Sequence, residues 1–294
     1  VSGPAALIEP ADDLVLDAGV LQATPTAEFG GFHAVMRHGG IAVLRWRGWF
    51  LQAQAQAVPA TPQLDDAARF AQVVVRISRG QAATAYDLAC ALAALSPGGT
   101  LVVVGANGLG ASTWTKRVAA RCGAPSQLIT RAKSRLAVFA PPPAATWPLP
   151  APAPTPSREG LSEVAGGPAP QGEPGIFLQG ALDRGTALLV DYLRDPEQHL
   201  ATPEEEQPAP GRILDLGCGA GHLAFAALAR FPHAHAVLCD ADHHALRAAT
   251  ANAIALGLTP RQAMHWWDAS EALPERGFDL VLINPPAHAG LEVD

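Results

Sequence analysis

"ILDLGCGAGHLA", residues 213–224, decides the fold. Ile213, Leu214 and Leu216 around Asp215 read as a buried strand, and "AGHLAFAALARF" (220–231) reads as a helix. Between them Gly217, Gly219 and Gly221 form G-x-G-x-G. Glycines let a backbone turn tightly and come close to a ligand. A dinucleotide loop has G-x-G-x-x-G and seats a pyrophosphate on the helix start. Here the spacing is one residue shorter, and an acid, Asp215, precedes the loop.

Outward from this loop the chain alternates. "HAVLCD" (235–240) is a strand, and "HHALRAATANAIALG" (243–257) is a helix closed by Gly257. "AMHWWD" (263–268) and "FDLVLIN" (278–284) are two more strands. Apolar strands alternating with helices predict a parallel sheet covered on both faces. Asp240 ends the second strand, Asp268 the third, and Asn284-Pro285-Pro286 the fourth. These are carboxyl ends, where open α/β sheets take their ligands. An acid at the Asp240 position can bridge two ribose hydroxyls.

The first half carries related pieces. "FAQVVVRISRG" (70–80) is a strand, "ATAYDLACALAAL" (83–95) a helix, "SPGGTLVVVG" (96–105) a turn and strand, and "SRLAVFAP" (134–141) a last strand. Set against "FDLVLINPP", "FAQVVVRIS" brings Phe70 onto Phe278 and Arg76 onto Asn284. The halves read as copies of one fold, the first without the second's chemistry. "LVVVGANGLGAS" (101–112) imitates a nucleotide loop, but its order is G-x-x-G-x-G and no acid follows before Glu159. It is read as structural.

The expected boundaries are a first domain over 1–140, a Pro/Ala/Gly-rich linker over 141–174 and a second domain over 175–294. "DPEQHLATPEEEQPAPG" (195–211) reads as an acidic surface loop. The 294 residues carry a net charge of −7, unevenly spread. Residues 1–158 hold 13 Lys and Arg against 8 Asp and Glu, a net of +5; residues 159–294 hold 7 against 19, a net of −12. No acid lies between Asp87 and Glu159, a stretch that includes Lys116, Arg117 and Arg121. Such asymmetry points to one half meeting a polyanion. Cys90, Cys122, Cys218 and Cys239 form no C-x-x-C pair and have no zinc-spaced His, so reduced thiols and no metal are expected. No apolar run is long enough to span a membrane, and "VSGPAALIEP" is not a signal peptide. A cytoplasmic monomer is expected.

The Asp215 and G-x-G-x-G pattern resembles motif I of class I S-adenosylmethionine methyltransferases. That resemblance makes Asp215, Gly217, Gly219, Gly221, Asp240 and Asp268 the residues for S-adenosyl-L-methionine, with Asp268 on the adenine amino group. It also gives Asn284-Pro285-Pro286 a use. An exocyclic amine conjugated to a base is a poor nucleophile, because its lone pair is delocalised. The Asn284 oxygen and the Pro285 carbonyl can each accept one of its N–H bonds, drawing the nitrogen towards tetrahedral geometry and aiming its lone pair at the sulfonium methyl. Positioning and electrostatics supply the gain.

"GIFLQGALDRGTALLVDYL" (175–193), "ILDLGCGAGHLA", "DADHHALRAATANA" (240–253) and "NPPAHAG" (284–290) are together similar to the ribosomal RNA small-subunit guanine-N2 methyltransferase family. "ADDLVLDAG" (11–19) and "YDLACALAALSPGGTLVVVGANGLG" (86–110) fit it more loosely. The resemblance implies an α/β chain of two tandem Rossmann-like methyltransferase-type domains, the first degenerate and the second catalytic. It implies ribosomal RNA, or the small subunit, as partner. Substrate would meet Phe177 and His288 in the second domain and Lys116, Arg117 and Arg121 in the first. The family's Asn-Pro-Pro-Phe-His-x-Gly run has Ala287 in place of the aromatic, which removes a platform for base stacking. The second half supplies four of the fold's seven strands. The chain therefore reads as truncated at its C-terminus, and the 294 residues alone are expected not to turn over. Two alternatives stay open: methyl transfer to a protein glutamine or to adenine N6, which use similar Asn-Pro-Pro sites, and a non-catalytic RNA-binding protein or inactive fragment.

Overall fold

The computed structural model describes residues 10–17, 19, 21–150, 175–176, 184–194, 209–273 and 275–285. The chain divides into two compact units, 1–150 and 151–294.

Among its described residues the first unit is built on a seven-stranded sheet. Its strands are β1 (Thr26–Phe29), β2 (Gly40–Val43), β3 (Ala60–Thr61), β4 (Phe70–Arg76), β5 (Leu95–Ala106), β6 (Gln127–Arg131) and β7 (Ser134–Phe139), in the order β3-β2-β1-β4-β5-β7-β6. β7 runs antiparallel to both neighbours, and the other pairs are parallel. β4 and β5 carry the apolar runs Val73–Val75 and Leu101–Val104 because they are central and covered twice. Val73, Val75, Leu101 and Val103 pack with Leu88, Leu92, Trp114 and Val118 from the helices Gln81–Ala94 and Ala111–Cys122. The alternate residues Val74, Val102 and Val104 pack with Leu14 and Val15 of the helix Pro10–Asp17. Each such side chain contributes about 1.5–3 kcal/mol when fully buried, so both coats are needed to hold the central strands.

The second unit has, among the described residues, four parallel strands: β8 (Arg212–Leu216), β9 (His235–Asp240), β10 (Gln262–Trp266) and β11 (Leu280–Ile283), ordered β10-β9-β8-β11. Ile213 and Leu238 share one core with Phe225 and Leu228 of the helix His222–Arg230, Leu246 of the helix His243–Ala255 and Val190 of the helix Arg184–Arg194. Leu214, Val237 and Cys239 face the other side, towards Trp267 and Phe278.

The two sheets repeat one plan. Each sets its third strand beside its second, its second beside its first, and its fourth on the first strand's other side. The registers agree in detail. Glu28 pairs with Val74 as Asp215 pairs with Leu282, and Phe29 pairs with Val43 as Leu216 pairs with Cys239. Gly30 N donates to Val43 O as Gly217 N donates to Cys239 O. Arg76 therefore stands two residues beyond the partner of Glu28, as Asn284 stands two beyond the partner of Asp215.

β1, β2, β3 and β6 are not among the strands expected from the sequence, so the first half holds a fuller sheet than its apolar runs announce. The first compact unit also runs past the expected boundary at 140. Ala145 and Trp147 pack on its core, with Trp147 6.0 Å from the Trp114 ring. Most of the linker and of the acidic loop lies outside the described residues.

Candidate active site

The loop after β8 is fixed from below. Gly217 N and Cys218 N both donate to Cys239 O, at 2.8 and 3.1 Å, and Gly221 N donates to Cys218 O. Gly217, Gly219 and Gly221 all have positive φ. At Gly221 a side chain is excluded twice, because a Cβ there would lie 2.4 Å from the Phe225 ring. Gly217 and Gly219 instead face open space, with nothing within 4 Å of where a Cβ would be. The loop thus packs tightly on its helix and leaves bare backbone towards the carboxyl ends of the strands, a cradle for a ligand that needs close approach.

Two carboxylates hold this loop in place. Asp215 is buried (1% exposed), and its Oδ2 accepts from Ala224 N at 3.0 Å, tying β8 to the first turn of the helix. Burial pushes its carboxyl up to about 7; the Ala224 N–H opposes the rise and neighbouring Asp240 adds to it. Asp240 Oδ2 accepts from Gly219 N and its Oδ1 from Asp242 N, each at 2.8 Å. Asp242 in turn caps the helix His243–Ala255 by accepting from His244 N at 3.0 Å. Asp240 therefore joins the glycine loop to the next helix start, half-buried at the mouth of the cradle.

Asp268 lies just beyond β10, on the same end of the sheet, and its Oδ1 accepts from Ser270 N at 2.8 Å. Trp267 N donates to Asp240 O at 3.0 Å, which sets the Asp268 turn beside the Asp240 turn. Asn284 follows β11, half-buried, with Pro285 exposed after it. The Asn284 amide donates from Nδ2 to Thr186 Oγ1 at 2.8 Å. Thr186 sits in the first turn of the helix Arg184–Arg194. Nothing in the sequence pattern gives this threonine a role, and none of it shows that the acids at the strand ends spend oxygens on backbone N–H groups.

The matching places in the first unit are filled differently. Glu28, in the register of Asp215, is fully buried and accepts from Ala34 N at 2.7 Å and Val35 N at 3.3 Å. Arg76 Nε donates to Glu28 Oε1 at 2.7 Å, and Nη2 lies at the same distance. A Cβ on Gly31 would fall 1.9 Å from Arg76 Nε, so the guanidinium occupies the space over this loop. Where Asp240 follows Cys239, fully buried Leu44 follows Val43. Gly105 and Gly110 of the imitation loop have structural uses: a Cβ on Gly105 would meet Ile77 at 2.7 Å, and Gly110 precedes a helix with positive φ. Lys116, Arg117 and Arg121 are exposed on the helix Ala111–Cys122. Arg117 lies 5.0 Å over the Trp114 ring and Arg121 4.8 Å over that of Trp147.

Residues 171–294 match the family described as the methyltransferase small domain. A ribosomal RNA small subunit methyltransferase C of Pseudomonas paraeruginosa (strain DSM 24068 / PA7) is 30% identical over 264 residues, covering 84% of this chain and 71% of that protein. The chain belongs to the ribosomal RNA small subunit methyltransferase C family. Another member of the methyltransferase C family, from Pseudomonas entomophila (strain L48), is 36% identical over 121 residues; that match spans 41% of this chain and only 32% of the relative's length. Among solved structures, the T. thermophilus 16S rRNA N2 G1207 methyltransferase, in complex with AdoMet and guanosine, aligns with a TM-score of 0.76 at 23% identity, over 96% of this chain and 76% of that one. That likeness is one of fold.

Three of the residues expected for the methyltransferase C chemistry, Phe177, Pro286 and His288, lie outside the described residues, as does Ala287. Among the described residues no group of three or more His, Cys, Asp or Glu could hold a metal. No described helix is long and apolar enough to cross a membrane.

Proposed function

We propose that this chain is an S-adenosylmethionine-dependent methyltransferase acting on the exocyclic N2 amine of a guanine in small-subunit ribosomal RNA. One observation carries the reading: Gly217 and Gly219, Asp240, Asp268 and Asn284 stand on adjoining carboxyl ends of one parallel sheet, in a chain of the methyltransferase C family. The open backbone at Gly217 and Gly219 suits a ligand that presses on the loop. When bound, S-adenosylmethionine supplies a methyl group on a positively charged sulfur.

The remaining work belongs to the chain's own groups. Asp240, at the mouth of the cradle, is placed for ribose hydroxyls, and Asp268 for the adenine edge. Asn284 and Pro285 receive the target amine. With the Asn284 amide N–H donated to Thr186, the carbonyl oxygen is turned the other way and can accept an N–H of the guanine amine. The Pro285 carbonyl accepts the second. No strong base is needed, because the nitrogen's proton is lost after the positive charge has moved onto it. The residues work by alignment and by dipoles aimed at developing charge.

In this reading the first unit is a degenerate copy of the second. Arg76 fills the space over its glycine loop and Leu44 replaces the ribose acid, so it holds RNA and not cofactor, through Lys116, Arg117 and Arg121. The protein acts in the cytoplasm as a monomer.

The test is methyl transfer from isotopically labelled S-adenosylmethionine to small-subunit RNA, to assembled subunits and to a glutamine peptide, with the product nucleoside identified by mass spectrometry. N2-methylguanosine supports the proposal. N6-methyladenosine or a labelled peptide would move the acceptor, and RNA binding without label in any arm would favour a non-catalytic role, the direction in which Ala287 points.

A further inference from the structure

We propose that the segment Arg45–Trp49 of the first unit is a second RNA contact, a stacking platform for unpaired bases of single-stranded RNA; it rests on the RNA-directed reading above. From Phe29 to Leu64 the chain has no acid, while Arg37, Arg45 and Arg47 add positive charge. Arg45-Trp46-Arg47-Gly48-Trp49 leaves the carboxyl end of β2 and opens the helix Arg47–Ala55. Trp46 is the residue just before the helix and Trp49 lies in its first turn. Both are solvent-exposed, 45% and 44%, whereas Trp114 of the same unit is 4% exposed. The Arg45 guanidinium lies 5.5 Å over the Trp46 ring, and that of Arg47 lies 5.7 Å over Phe50.

Local stability does not account for these indoles. In the second unit the residue in this place is Asp242, whose side chain caps its helix. Trp46 precedes its helix with no side-chain cap bond, although Ser, Thr, Asp and Asn are the residues that stabilise this position. An uncapped helix start and two indoles in water are both unfavourable. A ligand with flat π faces and negative charge would use both features at once. Duplex RNA hides its base faces in the stack, whereas single-stranded RNA presents them to aromatic side chains and Arg planes. Arg also suits phosphate through its rigid fork of donors.

The experiment uses the whole 294-residue chain and a fluorescein-labelled single-stranded RNA of about twelve nucleotides, a length within the usual site sizes. Anisotropy is read across a salt series. Trp46→Ala and Trp49→Ala should each weaken binding about tenfold at every salt concentration, leaving the salt slope unchanged because no charge is lost; Trp46→Phe should keep most of the affinity. Hydroxyl-radical footprinting of the wild type, read by mass spectrometry, should show both indoles protected by the RNA, and it decides the matter alone if circular dichroism shows an alanine variant unfolded. Unchanged affinity in folded variants, or no protection, overturns the proposal. So does protection by phosphatidylglycerol vesicles but not by RNA, which would make this a lipid surface. If RNA still binds through Lys116, Arg117 and Arg121, this inference falls and the methyltransferase reading stands. If the wild type binds no RNA, the RNA acceptor falls with it.

Discussion

Asn284 donates its side-chain amide to the hydroxyl of Thr186 at 2.8 Å, across 98 residues of sequence. Of the amide's two ends, the nitrogen is thereby committed and the oxygen is directed elsewhere. An asparagine that must present its oxygen to an amine gains from such a partner, because the two ends of the amide are nearly equal in size and can exchange by rotation. Thr186→Val removes the acceptor and keeps the shape. The kcat for methyl transfer should fall about ten- to a hundredfold, since small misplacements near the reacting atoms cost on this scale. KM for RNA should change little, and Thr186→Ser should restore most of the rate. Equal losses in kcat and in cofactor affinity would assign Thr186 to folding.

Asp240 has two tasks in the same place. Its Oδ2 holds Gly219 N and its Oδ1 holds Asp242 N. Asp240→Ala should weaken S-adenosylmethionine binding by about tenfold or more in calorimetry, because a charged acceptor is lost along with the tie that shapes the loop. Asp242→Ala removes a helix cap, worth about 1 kcal/mol, and should lower the melting temperature while leaving cofactor affinity near that of the wild type. If Asp240→Ala folds and binds as the wild type does, the ribose assignment is wrong.

These pairings explain what could be read from the sequence and what could not. "ILDLGCGAGHLA" shows a strand, a glycine loop and a helix because each has its own local pattern, and the four described strands of the second unit follow from their apolar runs. Thr186 was hidden because its contact joins distant residues. β1 was hidden for a related reason. "TAEF" carries a charge in the middle of a four-residue strand, and its burial is made tolerable by Arg76, 48 residues on, together with the N–H groups of Ala34 and Val35. β3 is two residues long and β6 is largely exposed, so neither shows periodicity. An acid at a strand end was legible as Asp215 or Asp240; the direction of its oxygens depends on loops folded from elsewhere.

The Asp215 carboxyl gives a pH dependence with a definite sign. Burial raises it from an ordinary 3.8 to about 7. Between those values the folded chain holds a proton that the unfolded chain has lost, so stability falls as pH rises. The contribution is fully present below about pH 4 and gone above about 7. Asp215→Asn keeps an oxygen for Ala224 N and cannot titrate. Melting temperatures measured from pH 4.5 to 7.5 should converge on the low side: the wild type should lose ground to Asp215→Asn as pH rises. Parallel curves would show that Asp215 does not titrate in this window.

The exposed cations of the helix Ala111–Cys122 make a separate claim. Arg117 and Arg121 are four residues apart and rest over Trp114 and Trp147, which limits their freedom and presents them on one side. Phosphate contacts made there release counterions, and each lost contact lowers the salt slope of binding by about one unit. Reversing Lys116, Arg117 and Arg121 to Glu should weaken RNA binding at low salt and flatten its salt dependence. A slope equal to that of the wild type would place the phosphates elsewhere.

The ion pair of Arg76 and Glu28 fills the space over the first unit's loop and also holds that unit together. Glu28 is fully buried and the Arg76 side chain is 12% exposed. Removing one member of such a pair leaves the other without its opposite charge, at a cost of about 3–5 kcal/mol. Arg76→Ala should therefore shift the urea midpoint of the first unit strongly. Glu28→Gln should do the same from the other side, and the double variant should recover part of the loss, because the two effects come from one interaction. Recovery should be incomplete, since the Glu28 carboxylate also accepts from Ala34 N and Val35 N at a helix start. Opening the space over Gly31 should still not create a second cofactor site, because Leu44 stands where the second unit has Asp240. Calorimetry of Arg76→Ala at a urea concentration where it remains folded should give at most one S-adenosylmethionine per chain. A second equivalent, lost again on restoring Arg76, would show that the arginine alone had kept the first unit from binding.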